Sequence, residues 1–340
     1  MKNKIIMVFL LLIILKISPS AFSRECQVHF TAVGDLLLDR GIRIVMERKG
    51  KDYSLKEIGK YLAKQDIVLC NLEGPLSYRG EMLKKKYVFR GDPSLIDMLQ
   101  EFGINVFSLA NNHIMDYGKL ALMDTINLIK SAELYPVGAG ENQVEALTPV
   151  IIEKKGLLIA FFASLGFPLS REEICSDAAG PCQVRLDDLI SLIQEIRDQV
   201  NLIIVSFHWG FEYSSLPHTH QIEDAHQLID AGADLIIGHH PHVIQAIEKY
   251  HGKYILYSLG NFLFDQHDDE GKDSFLFSCI LGKEGLIDPH IVPIEIVHYQ
   301  TRIASEKKAH QIVKKIQLTT DQGILFFQQQ DGKYYFIEVK

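Results

Sequence analysis

The sequence predicts an α/β domain built in layers, followed by a C-terminal β-rich extension. Three observations carry that expectation. Short apolar runs of strand length alternate with stretches of helical periodicity, ligand-type residues follow the ends of five of those runs, and no repeat, linker or low-complexity tract divides the chain. At 340 residues the chain is long enough for a sizeable core, and its 47% hydrophobic and 23% charged content is ordinary for a globular protein.

The chain opens on Lys2 and Lys4, followed by an apolar run over 5–15 and then Ser18-Pro19-Ser20-Ala21-Phe22-Ser23. A basic start, a short apolar region and an Ala21-x-Ser23 ending mark residues 1–23 as a secretory signal peptide. Lys16 stops the run short of the ~20 apolar residues that a membrane span needs. The expectation is export with cleavage near Ser23, to the periplasm or the extracytoplasmic face of the membrane. Cys26 stands behind Arg24-Glu25 and not at the cleavage point, where a lipidated cysteine would be. The formal charge of −8 gives no basic face for nucleic acid, so none is expected as a partner.

Strands are expected over 28–33, 66–70, 105–109, 150–152, 157–163, 202–207, 235–237 and 254–258, each an apolar run of strand length. Helical periodicity covers 93–102, 119–131, 186–198 and 221–231, the last ended by Gly232. Further strands fall over 275–281 and 291–297. Residues 323–340 hold two more, joined by Asp331-Gly332, a two-residue hairpin signal. The domain is accordingly placed at 24–300, with 301–340 as an extension packed on it.

In an oxidising compartment the five cysteines matter. Cys175 and Cys182 bracket a turn-rich stretch and are expected to close a small disulfide loop; Cys70 and Cys279 lie in apolar runs and read as buried thiols.

The chemistry gathers where strands end. Residues 233–237 lead into Gly238-His239-His240-Pro241-His242, three imidazoles in a turn stiffened by proline. The earlier strands lead into Gly34-Asp35, Asn71-Leu72-Glu73-Gly74, Ala110-Asn111-Asn112-His113 and His208-Trp209-Gly210. Asp35 alone would read as a helix cap, and one histidine turn as a polar loop. Five strand ends each offering Asp, Glu, Asn or His form the pattern of a metal centre, because ligands bind beyond the carboxyl ends of strands in open α/β sheets.

Gly34-Asp35, Asn71-Leu72-Glu73, Phe89-Arg90-x-x-Pro93, Ala110-Asn111-Asn112-His113-x-x-Asp116-Tyr117-Gly118, His208-Trp209-Gly210-x-Glu212-Tyr213, Gly238-His239-His240-Pro241-His242-Val243 and Tyr257-Ser258-Leu259-Gly260-Asn261-Phe262 together resemble the CapA family. That family comprises poly-γ-glutamate capsule synthesis proteins and is similar to calcineurin-like metallophosphoesterases. The resemblance runs in family order from about 28 to 264 and implies a layered β-sandwich flanked by helices.

Carried over motif by motif, the resemblance implies one or two divalent metal ions held by Asp35, Glu73, Asn112, His208, His240 and His242, with Glu73 bridging. His113 would be catalytic, as general acid or by stabilising the developing charge. Arg90, Trp209, Glu212 and Asn261 would meet substrate, although for Trp209 plain packing at a strand end stands equally open. Lys84-Lys85-Lys86 precede the pocket and could meet an anionic substrate, although a solvated charge run is the readier reading for them. In one place the chain departs from the phosphoesterase pattern of Asp-x-His: Asp35-Leu36-Leu37 puts leucine at the second ligand position. The implied function is an exported metal-dependent hydrolase acting on poly-γ-glutamate or another anionic surface polymer. The alternative is a non-catalytic polymer-binding subunit of a membrane synthase with a structural metal site.

Overall fold

The computed structural model describes residues 26–169, 179–266, 268–319 and 326–337. β1 (Val28–Leu36) alternates its faces: Val28, Phe30 and Ala32 enter one core and Val33 another. α1 (Arg40–Lys49) and α2 (Lys56–Leu62) each seat one apolar turn, Ile42 with Met46 and Ile58 with Leu62, beneath the outer face of the sheet. β2 (Ile67–Leu72), α3 (Ile96–Glu101), β3 (Val106–Ser108), α4 (Gly118–Ser131) and β4 (Tyr135–Val137) follow. The pairs β1–β2, β2–β3 and β3–β4 are all parallel, so their carboxyl ends share one edge of the sheet.

The second sheet grows from the middle of the chain. β5 (Ala139–Gly140), α5 (Gln143–Leu147), β6 (Val150–Lys154), β7 (Leu157–Leu165), β8 (Gly180–Pro181), α6 (Leu186–Ile196), β9 (Leu202–His208), α7 (Thr219–Ala231), β10 (Leu235–His239), β11 (Ile247–Tyr250) and β12 (Lys253–Leu256) succeed one another. The strand order is β11-β12-β10-β9-β7-β6, with β7, β9, β10 and β12 parallel. β5 and β8 form a separate pair.

The chain then returns to the first sheet. β13 (Asn261–Leu263) pairs parallel to β1, and β14 (Asp273–Gly282) pairs antiparallel to it. β15 (Gly285–Val297), β16 (Gln300–Ile303), α8 (Glu306–Thr319), β17 (Phe326–Gln330) and β18 (Lys333–Ile337) complete the path β17-β18-β15-β14-β1-β2-β3-β4. Asp331 and Gly332, both at positive φ (50° and 75°), make the hairpin turn as expected.

Packing defines four layers. Phe30, Leu69, Val106 and Phe277 of the first sheet face Ile159, Phe161, Ile204 and Ile237 of the second, forming the central core. Leu99, Leu122 and Ile126 cover the outer face of the first sheet, and Leu189, Ile193 and Leu228 cover that of the second. This is the sandwich flanked by helices that the resemblance implies. Truncating Phe161, fully buried between the sheets, would cost ~3–5 kcal/mol.

The C-terminal segment departs from expectation. It contains a helix, α8, whose Ile312 and Ile316 enter the central core, and β18 joins the first sheet through β15. Asp273, buried on β14, holds Lys308 and Lys315 of α8 at 2.6 Å each. Cys70 and Cys279 are buried thiols, as expected. Cys182 is a buried free thiol with its Sγ 3.8 Å from Ser164 Oγ; its expected partner, Cys175, lies outside the described residues, as does the signal segment 1–23.

Candidate metal centre

Both sheets deliver their parallel strand ends to one place. Asp35 on β1 is in register with Asn71 on β2 and Asn261 on β13, and Asn71 with Ser108 on β3. In the other sheet His208 at the end of β9 is in register with His239 at the end of β10. Gly34 lets the chain pass closely here: a Cβ on it would fall 1.9 Å from the carbonyl oxygen of Gly260, to which the Asp35 amide donates at 3.1 Å.

Asp35, Glu73 and His242 form a buried cluster whose ligand atoms lie within 4.8 Å of one another, a grouping able to hold a metal ion. His242 Nδ1 is 3.2 Å from Asp35 Oδ2, and its Nε2 is 3.4 Å from Glu73 Oε1. Burial by itself would raise the Asp35 pKa, but hydrogen bonds from His239 and His242 and their charge hold it well below the usual carboxylate range. Burial pushes Glu73 up to about 8, His242 opposing and the charges of Asp35, Glu212 and Asp116 adding to the rise. For His242 burial works downward, yet Glu73 and Asp35 lift it to about 10. Two carboxylates and an imidazole thus share protons in a dry site.

A second group of ligand-type residues adjoins the first. His208 Nε2 lies 2.9 Å from Asn112 Oδ1, and the His208 and His240 rings are 4.8 Å apart. Burial and the His242 charge press His240 down to about 3, and burial and the His240 charge keep His208 far below its ordinary value, so both present neutral lone pairs. Glu73 Oε1, His208 Nδ1 and His240 Nδ1 are buried with no hydrogen-bond partner. Unsatisfied buried acceptors of these types suit a cation, so the donor set fits one or two divalent metal ions. His240 and His242 both hold positive φ, 97° and 58°, an unusual backbone for histidine that the Pro241 turn imposes.

His113 stands beside these groups. Its Nδ1 is 2.7 Å from Asp116 Oδ2 and its Nε2 is 3.9 Å from Glu73 Oε1. Burial lowers its pKa, with Asp116 opposing. The ring packs on Phe89, centroids 4.1 Å apart, which excludes water from that side.

Sequence reasoning missed the residues that set these groups in place. Asn71 Nδ2 donates to Asp35 Oδ1 at 2.8 Å and to Glu73 Oε2 at 3.4 Å. Asn111 in turn donates to Asn71 Oδ1 at 3.0 Å and accepts from the His113 amide at 3.1 Å. His239 reaches Asp35 at 3.5 Å. Asn71, Asn111 and Asp116 sit inside the quoted motifs, yet only the fold shows which amide faces which carboxylate.

The expected substrate residues fare unequally. Trp209 is packing: its indole is sealed between Phe207 and Tyr257 and donates to the Tyr257 carbonyl at 2.9 Å, so it lines no opening. Asn261 accepts at 2.9 Å from His242 Nδ1 and donates to the His242 carbonyl, holding that ring in position. Glu212 is exposed, near enough for its charge to act on Glu73. Arg90 is half-buried, its guanidinium 4.1 Å from the Tyr117 ring. Leu37, at the odd ligand position, packs with Phe89, Phe264 and Ile296.

A family model described as bacterial capsule synthesis protein PGA_cap matches residues 29–266. The chain is 31% identical over 327 residues to the capsule biosynthesis protein CapA of Bacillus anthracis, covering 93% of this chain and 79% of that protein. It is 32% identical over 310 residues to the PGA biosynthesis protein CapA of Bacillus subtilis (strain 168), covering 89% and 80%. Among solved structures, a hypothetical protein from Thermus thermophilus superposes with a TM-score of 0.51 at 15% identity, over 78% of this chain and 99% of that one, and supports the fold alone.

Proposed function

Because the chain belongs to the bacterial capsule synthesis protein PGA_cap family, we propose that it acts in synthesis of poly-γ-glutamate or a similar anionic surface polymer, as an exported metal-dependent hydrolase that releases or trims the chain. The names of the Bacillus relatives support the capsule context. One observation carries the hydrolytic part: Glu73 Oε1, buried and without a hydrogen bond, lies between the imidazoles of His242 and His113.

Asp35, Glu73 and His242 would hold one ion, and Glu73, Asn112, His208 and His240 a second. A bound divalent cation supplies Lewis acidity and a nucleophilic water at neutral pH. Asp116 fixes the Nδ1–H of His113 and leaves Nε2 as an acceptor facing Glu73, so Nε2 would take up the proton that the attacking water gives up and return it to the leaving group. Asn71 orients both carboxylates, and Phe89 keeps solvent off the imidazole. Metal content of the purified protein, together with hydrolysis of γ-glutamyl peptides and phosphoesters with and without chelator, tests the reading. Metal-free protein with full hydrolysis, or metal-loaded protein inert toward every such substrate, overturns it.

A second reading rests on Leu37. With an apolar cluster in place of a ligand, the Asp35 side of the site has fewer donors, which favours a polymer-binding accessory subunit of a membrane synthase. Polymer binding without turnover would select it. For export, N-terminal sequencing of the major species is expected to begin near Arg24; recovery of Met1 removes that part of the proposal.

A further inference from the structure

The loop between β2 and α3 crosses the site beside His113, and its attachments are specific. Lys85 Nζ donates to the Asn112 carbonyl at 2.7 Å and pairs with Asp116 at 2.5 Å, which ties the loop to the residues flanking His113. The Arg90 amide donates to Asp39 Oδ2 at 2.9 Å, and Phe89 between them packs on the His113 ring. The loop is therefore fixed relative to the metal centre.

Its remaining cations behave unlike an ordinary solvated run. Lys86 Nζ sits 4.8 Å from the centre of the Tyr87 ring, and Arg90 lies over Tyr117. The Arg40 guanidinium, across from them, approaches Tyr87 at 6.0 Å and Phe89 at 5.7 Å. Lys84, Lys86 and Arg90 have no carboxylate partner among the described residues, whereas Arg40, Arg43, Arg79 and Lys85 all do. Arg40 also holds a left-handed φ of 56°, a strained backbone for a non-glycine residue, and it opens α1 directly after the Asp35 strand. Tyr87 is 49% exposed, so its ring offers an open face among these cations. Cations ordered on aromatic rings lose less freedom when they take up an anion, and in a chain of net charge −8 such a cluster is a local reversal of sign.

We propose that Arg40, Lys84, Lys86, Tyr87 and Arg90 form a carboxylate-binding strip that leads an extended polyanionic chain to the metal centre. The proposal rests on the polymer reading above and adds where the polymer is held: successive pendant carboxylates, the α-carboxylates of a γ-linked glutamate chain, are taken by the strip while one backbone linkage lies at His113. Guanidinium and ammonium groups bind carboxylate by charge-assisted hydrogen bonds, so recognition is directed at the polymer's pendant charge.

Isothermal titration of the full chain with poly-γ-glutamate fragments tests this against a neutral polyglutamine of similar length. Binding is expected for the anionic polymer only, weakening as salt rises. Lys86→Ala combined with Arg90→Ala should weaken binding by roughly tenfold, from two partly exposed charge contacts, with metal content unchanged. Lys84→Glu combined with Lys86→Glu, substitutions of exposed side chains that leave the fold's packing alone, should weaken it further. If both double variants bind the polymer as wild type does, the strip is wrong while the polymer reading stands. If wild-type protein binds neither polymer but still hydrolyses a small substrate, the polymer reading itself falls. Equal binding of the neutral chain also overturns the strip.

Discussion

Asn71 places its one side-chain amide between two carboxylates, 2.8 Å from Asp35 Oδ1 and 3.4 Å from Glu73 Oε2. That amide fixes the rotation of both groups, leaving Glu73 Oε1 and Asp35 Oδ2 turned toward His242. Asn111 holds Asn71 from behind, so orientation passes from the loop bearing His113 to the carboxylates.

Asn71→Ala is accordingly expected to weaken metal binding by about 10–100-fold, the usual worth of a group that orients ligands. Titration of metal-free protein with Mn²⁺ or Zn²⁺ measures it. Wild-type affinity in the variant would show that the carboxylates orient themselves.

His240→Ala and His208→Ala should lose bound metal, whereas His113→Ala should keep it and lose the chemical step by roughly 10²–10⁴-fold. Metal analysis beside turnover separates the two. Metal loss in His113→Ala equal to that in His240→Ala would make His113 a ligand.

The metal-free protein should lose stability as pH rises. Glu73, raised to about 8 from 4.5, and His242, raised to about 10 from 6.5, both bind protons more tightly folded than unfolded. Their contribution is full below the unfolded values, and it is lost as pH climbs through about 8 and then about 10. Asp35, held low, contributes the other way and only in acid. A Tm that falls from neutral into alkaline pH, and that added divalent metal restores, is the expected record; a flat profile in the metal-free protein counts against this balance.

Away from the site, Asp234 joins three elements: Arg197 at 2.7 Å, Lys253 at 2.6 Å and the Ile203 amide at 2.8 Å. Asp234→Ala should cost about 2–3 kcal/mol, since the cations it strands remain partly exposed. Denaturant melts measure this, and metal content should not change.

Much of this was legible in the sequence. Buried parallel strands are continuous apolar runs, so β1, β2, β7, β9 and β10 showed themselves, and four of them, all but β7, lead into residues that reach the site. The helices were harder. α1 and α2 bury only one i, i+4 pair each, Ile42 with Met46 and Ile58 with Leu62, too little for periodicity to stand out from the charge around it. α8 did carry the signal, in Ala309, Ile312, Val313 and Ile316, but it lies among strand-like runs. At the site the ligand types were visible because each sits at a strand end. The arrangement of Asn71, Asn111 and Asp116 was not, since amide orientation depends on which strands are neighbours. Trp209 shows the opposite limit: a motif position next to His208 turns its side chain to the helix-covered face because strand residues alternate.

The two halves of the candidate metal site come from distant parts of the chain. Some 205 residues of chain separate Asp35 from His240, and β13, which sets Asn261 against His242, pairs with β1 across a similar separation. The Asp35, Glu73 and His242 cluster spans 35–242, so it forms only when long stretches of chain are brought together.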